Sequence, residues 1–78
     1  MTIHELVKEL VALKVPEDAY SILTGGYPNE RLCITNEQAE WQVYYSERGR
    51  KSGLKIFKDE EEACEYFYNK LKKYSKTT

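Results

Sequence analysis

One histidine, two cysteines and a run of three glutamates are the residues of this 78-residue chain that could do chemistry. Nucleophilic catalysis needs a serine or cysteine with a base beside it and a third group to orient that base. His4 is the lone imidazole. It stands inside a helix-start signature, Thr2 followed by Glu5, which turns it toward solvent in a first turn. Cys33 alternates with apolar neighbours and Cys64 lies near the start of a helix, with no Cys-x-x-Cys pair to hold zinc. Both cysteines read as buried free thiols in a reducing compartment. Glu60, Glu61 and Glu62 could imitate a carboxylate pair. Directly after Asp59, they are more simply the acidic first turn that complements a helix dipole. Gly25 and Gly26 could cradle a phosphate, but neither a Gly-Lys-Ser/Thr run nor Gly-x-Gly-x-x-Gly spacing follows, so a wide hairpin loop is the better reading. The expectation is therefore no catalysis, no cofactor and no metal.

The elements that must carry the remaining side chains follow from periodicity. Ile3, Leu6, Val7, Leu10, Val11 and Leu13 recur at three-four spacing and predict a helix over 2–14, stopped by Pro16. Strands are predicted over 20–24 and 31–35, joined by the Gly25-to-Glu30 loop. In the second strand Leu32 and Ile34 point one way and Arg31, Cys33 and Thr35 the other. A polar turn over 36–40 leads to a third strand over 41–47, with Trp41, Val43 and Tyr45 on one face and Gln42, Tyr44 and Ser46 on the opposite one. A Gly-bearing loop over 48–53 precedes a fourth strand over 54–57, with Leu54 and Ile56 inward. Asp59 caps a last helix whose buried stripe is Ala63, Cys64, Phe67, Leu71 and Tyr74, and 75–78 form a frayed polar tail. The fold class expected is α+β, in the order α-β-β-β-β-α. Short connections make the four strands an antiparallel meander, with both helices on one face. The other face, bearing Arg31, Cys33, Gln42, Tyr44, Ser46 and Lys55, is expected to stay open.

Composition bounds the rest. Seventy-eight residues make a single domain with one thin core, and a chain this short buries only about 60% of its unfolded surface. With 32% charged residues and a net charge of −1, it belongs with soluble globular proteins rather than disordered ones. No apolar run is long enough for a signal peptide or a membrane span, which points to the cytoplasm. The charge is uneven: residues 1–47 carry three basic side chains against eight acidic ones, and residues 48–78 carry nine against five. Such segregation can steer a charged partner if folding preserves it.

Seven tyrosines are too many for a thin core to bury with their hydroxyls satisfied. Tyr44 on the open face, Tyr27 in its loop and the run Glu47-Arg48-Gly49-Arg50-Lys51 combine aromatic and charged groups in the way protein interfaces do. Tyr27, Glu30, Glu40, Tyr44, Glu47, Arg48 and Arg50 are the candidate partner-binding residues. Open sheet edges would also allow pairing with a second copy. Double-stranded RNA is a poorer partner. Domains that read it through phosphates place lysines where this chain has Asp59-Glu60-Glu61-Glu62, and the strand count is one too many.

The segments Trp41-x-Val43-Tyr44-Tyr45-Ser46-Glu47-Arg48-Gly49, Gly53-Leu54-x-x-Phe57 and Glu60-Glu61-Glu62-Ala63-Cys64-x-x-Phe67 resemble small bacterial immunity proteins of polymorphic toxin systems. The resemblance spans about 20–71, and Tyr-Tyr-Ser-Glu-Arg-Gly is its most specific part. It implies that the chain neutralises a cognate toxin domain, often a nuclease, by stoichiometric binding in the cell that makes both. It further implies acidic contacts, here Glu30, Glu37, Glu40 and Glu47, on a basic toxin surface. The basic run 48–51 departs from a purely acidic binding face. The alternative reading is a cytoplasmic adaptor or regulatory domain that uses the same open face.

Overall fold

The computed structural model describes residues 1–23 and 30–74. Its elements are α1 (Ile3–Ala12), a 3-10 turn (Glu17–Ala19), β1 (Tyr20–Ile22), β2 (Arg31–Glu37), β3 (Glu40–Glu47), β4 (Arg50–Phe57) and α2 (Glu60–Leu71), closed by a 3-10 turn (Lys72–Tyr74). The order α-β-β-β-β-α stands. Tyr27, Thr24 and the paired glycines of the expected loop lie outside the described residues, as does the expected tail over 75–78.

Local chemistry explains the helix ends. Glu5 donates its backbone N–H to Thr2 Oγ1 at 3.2 Å, and Thr2 donates its own to Glu5 Oε1 at 2.9 Å, which completes the capping box. That backbone donor holds the Glu5 carboxyl below the usual carboxylate range. At the other end Lys14 takes a left-handed φ of 58°. Its N–H bonds Val11 O and that of Val15 bonds Leu10 O, which satisfies two of the last carbonyls before Pro16. Asp59 caps α2 by accepting the Glu62 N–H at 2.9 Å.

The sheet order is β1-β2-β3-β4. β2, β3 and β4 pair antiparallel, but β1 runs parallel to β2, with Tyr20 opposite Leu32 and Ile22 opposite Ile34. The expected all-antiparallel meander is therefore wrong at its first strand. The physical reason is length. β1 has three residues, roughly 10 Å of strand, and a connection of eight residues between Ile22 and Arg31 is long enough to return the chain over that distance.

Both hairpins turn in two residues. Gln38 and Ala39 have φ of 51° and 66°, and Arg48 and Gly49 have 48° and 74°. This mirror-image geometry suits the twist of paired strands. The expected loop over 48–53 is thus mostly strand: β4 begins at Arg50. Between Val43–Lys55 and Tyr45–Ser52 the register slips by one residue, with the extra residue on β4 beside Gly53, whose φ is 63°. The slip reverses the expected facing of the fourth strand. Phe57, opposite Trp41, faces the helices, and Lys55 lies opposite core residue Val43. Leu54 and Ile56 point away from the helices and are exposed, at 42% and 53%.

One core holds the layers together. Leu6 and Leu10 of α1, Ile34 and Val43 of the sheet, and Ala63, Cys64, Phe67 and Leu71 of α2 are buried in a single cluster. Tyr20 meets Phe67 edge-on at 6.4 Å between ring centroids. The α1 stripe is narrower than its spacing suggests, because Val7 and Val11 are exposed.

Stability should respond to the left-handed positions. Replacing Ala39 or Lys14 with glycine should each raise it by roughly 0.5–1 kcal/mol, because glycine adopts positive φ without a Cβ clash. Gly49→Ala should lower it by about 1 kcal/mol through backbone strain alone, since no atom lies within 4 Å of the added methyl. Urea midpoints at constant slope read all three.

Candidate functional site

The face opposite the helices is not open at its centre. Cys33, Thr35, Tyr44 and Ser46 are all buried there, with Tyr44 only 1% exposed. Lys51 contributes to the cover. Its ammonium sits 4.7 Å from the Tyr44 ring centroid and donates to Gln42 Oε1 at 3.1 Å, so its stem lies across the ring. Tyr44 is therefore a core aromatic and not an interface anchor. Its cross-strand neighbour Cys33 bonds Arg31 O through its thiol at 3.6 Å, and burial pushes that thiol up. The hydroxyls of Thr35 and Ser46 are buried without a partner, a cost of about 1–3 kcal/mol apiece.

The remaining candidates divide between two ends of the sheet. β3 separates the Gln38–Ala39 turn from the Arg48–Gly49 turn by roughly 23 Å. Glu40 lies at the first end, directly opposite Glu37. α2 begins there as well, two residues beyond the Trp41–Phe57 pair, and adds Asp59, Glu60, Glu61 and Glu62. Glu60 accepts the Ile3 N–H at 2.8 Å and ties α1 to the same end. Glu47, Arg48 and Arg50 occupy the opposite end, where Glu47 pairs with Arg50 across the turn and Arg31 lies opposite Ser46. Arg48, Arg50 and Glu30 are exposed. The four acids suggested as contacts by the resemblance thus form no common face.

Folding converts the uneven charge of the sequence into a polar axis. Acids from both halves of the chain gather at the start of α2, and bases gather at the Arg48–Gly49 end. α2 carries the same polarity, with Lys70 in its last turn. A cleft of about 560 Å³ opens beside that last turn, between Lys70 and Lys73 on one side and Tyr45, Ser52 and Lys55 on the other. Lys70 stacks over the Tyr66 ring at 5.4 Å, and Tyr66 in turn packs on Phe57 at 5.3 Å. Sequence reasoning missed this gathering because it depends on the register slip that moves Lys55 to the helix side.

The most exposed apolar side chains of the sheet are Leu54 and Ile56. Both stand on β4, whose outer edge pairs with no strand among the described residues. Lys55 stands between them on the strand and Lys51 lies on their side of it, so the apolar pair is bordered by cations, the composition of an interface. Among the described residues no group of His, Cys, Asp and Glu side chains could hold a metal ion. No described helix is long and apolar enough to cross a membrane. Comparison with protein-family models, with curated proteins and with solved structures finds no match.

The thiols give a test of this geometry. Burial pushes Cys64 up from 9.0 to about 11. The unfolded chain therefore loses this proton first as pH rises. Its share of stability is complete below about pH 9 and falls between pH 9 and about 11, at up to roughly 1.4 kcal/mol per pH unit. Cys64→Ala should flatten that slope relative to the parent in urea titrations. Neither thiol should react with an aromatic disulfide reagent at pH 8 until the chain unfolds.

Proposed function

We propose that this chain works by stoichiometric binding to another protein and that it is an immunity protein, neutralising a cognate bacterial toxin domain. The observation that carries the reading is the outer strand β4. Along it two apolar side chains, Leu54 and Ile56, stand exposed on a strand edge, with Lys55 between them and Arg48 and Arg50 toward the turn at the start of the strand. Buried aliphatic area supplies association free energy, and a charged rim supplies orientation and encounter rate. The mechanism is occlusion of the toxin's active site or substrate path, with no bond made or broken by this chain.

The resemblance of the 41–67 region to immunity proteins selects a toxin as the partner. It also assigns contact to acidic side chains, and the fold supports that only in part. Glu37 and Glu40 lie at the far end from Arg48. Glu47 is placed to contribute beside Arg50, and Glu30 is exposed next to Arg31. The basic rim fits a toxin surface that is acidic where it meets this chain. A regulatory adaptor domain would use the same surface, and the partner's identity separates the two readings.

Co-expression with the C-terminal domain of a secreted multidomain protein encoded directly upstream should rescue growth and yield a one-to-one complex. The Arg48→Glu/Arg50→Glu double variant should fold normally yet weaken capture by about tenfold or more, chiefly through slower association at low salt. Cell death despite full expression of the parent chain, or failure of the two proteins to co-purify, would remove the immunity reading. A complex with a non-toxic partner would establish the adaptor instead.

A further inference from the structure

We infer that the outer edge of β4 receives an extended segment of the partner, alternating acidic and apolar side chains, as a fifth strand of the sheet. The inference rests on the protein-binding reading above and specifies its route. β4 is eight residues long and lies at the end of the strand order, so among the described residues no strand takes its outward N–H and C=O groups, which can receive a pairing chain. At the opposite edge β1 has three residues and offers much less backbone.

The register makes the two sides of β4 chemically different. Arg50 lies opposite Glu47, Ser52 opposite Tyr45 and Lys55 opposite Val43, so these three project toward the helix side. Ile56 lies opposite Gln42 and projects to the other side, as does Leu54 by alternation. Over 54–57, Lys55 and Phe57 thus stand on one side of the edge and the exposed aliphatic pair Leu54 and Ile56 on the other, while Lys51, on the second side, lies over Tyr44. A strand laid alongside places its alternate side chains against each in turn. An acid against Lys55 gains a charge pair, and aliphatic residues against Leu54 and Ile56 shed water from both.

The same pattern argues against a second copy of this chain. β4 carries Arg50, Lys51 and Lys55 and no acid, and Lys58 follows. An antiparallel self-pairing centred on Lys55 sets that lysine against its own copy. One centred between Leu54 and Lys55 sets Lys51 against Lys58. These two registers set like charges directly opposite, which is destabilising, and β4 has no acid to supply a counter-charge in any other. The slip at Gly53 further confines regular pairing to 54–57, a length suited to a short guest segment and not to a long flat dimer seam.

The test uses the purified chain with two blocked octapeptides, one of four Glu-Val repeats and one of four Lys-Val repeats. The Glu-Val peptide should shift the backbone amide resonances of 54–57 and slow exchange of their outward-facing amides. The Lys-Val peptide should do neither. Lys55→Glu and Ile56→Ser, both at exposed positions, should each weaken the Glu-Val peptide by about fivefold while thermal melting stays unchanged. Equal binding of both peptides, binding of neither, or shifts confined to the α2 cleft would overturn the inference. So would sedimentation showing a dimer that Ile56→Ser dissolves, since the occupant would then be a second copy. If Lys55→Glu and Ile56→Ser still capture the toxin domain at parental affinity, the immunity reading survives and β4 is removed as its route.

Discussion

The sheet has one face that is fully apolar where it matters, and the whole structure hangs on covering it. Ile34 and Val43 lie opposite each other in the centre of the sheet, and Ala63, Cys64 and Phe67 of α2 close over them. In a molecule whose shortest dimension is 17 Å there is room for that one interface and little else. Domains of this size hold a small margin of stability, so the loss of a large buried side chain such as Phe67 would consume much of it. α2 must therefore be held at a fixed angle. The capped start at Asp59 and the ring packing of Tyr66 on Phe57 supply that restraint at two points along its length.

The second face meets a different constraint. Neither described helix covers it, yet Cys33, Thr35, Tyr44 and Ser46 are buried in it. Their polar groups show what that burial costs. Tyr44 accommodates it by accepting a lysine over its ring, whereas Thr35 and Ser46 keep unpartnered hydroxyls. A seam of this kind is weaker per unit area than the aliphatic interface across the sheet. Surface available to a partner is thereby displaced from the middle of the face to its margin, where Leu54 and Ile56 stand.

Much of the architecture was legible from periodicity and punctuation. The capping pairs Thr2–Glu5 and Asp59–Glu62 mark both helix starts, and the stripe Ala63, Cys64, Phe67 and Leu71 is the buried face of α2. The β3 alternation places Trp41 and Val43 on the helix side. What alternation alone does not carry is an extra residue. Gly53 shifts the register by one position, and with a period of two that exchange turns Ile56 outward and Lys55 inward. The direction of β1 was also beyond reach, because a three-residue strand pairs either way with similar local propensity. Tyr44 was misplaced for a third reason: its exposure depends on what lies above the sheet, and a strand pattern describes only the sheet. Of the candidate contacts, those at the β3–β4 turn depend on local sequence and are found together. Glu40 is separated from them by the full length of a strand.

β1 pairs with its neighbour β2, whereas α1 packs chiefly on the distant α2. Ile3 bonds Glu60, Tyr20 meets Phe67, and Leu6 and Leu10 complete a core otherwise built from β2, β3 and α2. By contrast, β2, β3, β4 and α2 are consecutive and joined by tight turns, so they can assemble from near neighbours at small entropic expense. The apolar stripe of α1 therefore finds its partner only once α2 is seated on the sheet, so closure of this layer is the last packing step and depends on a helix nearly fifty residues away.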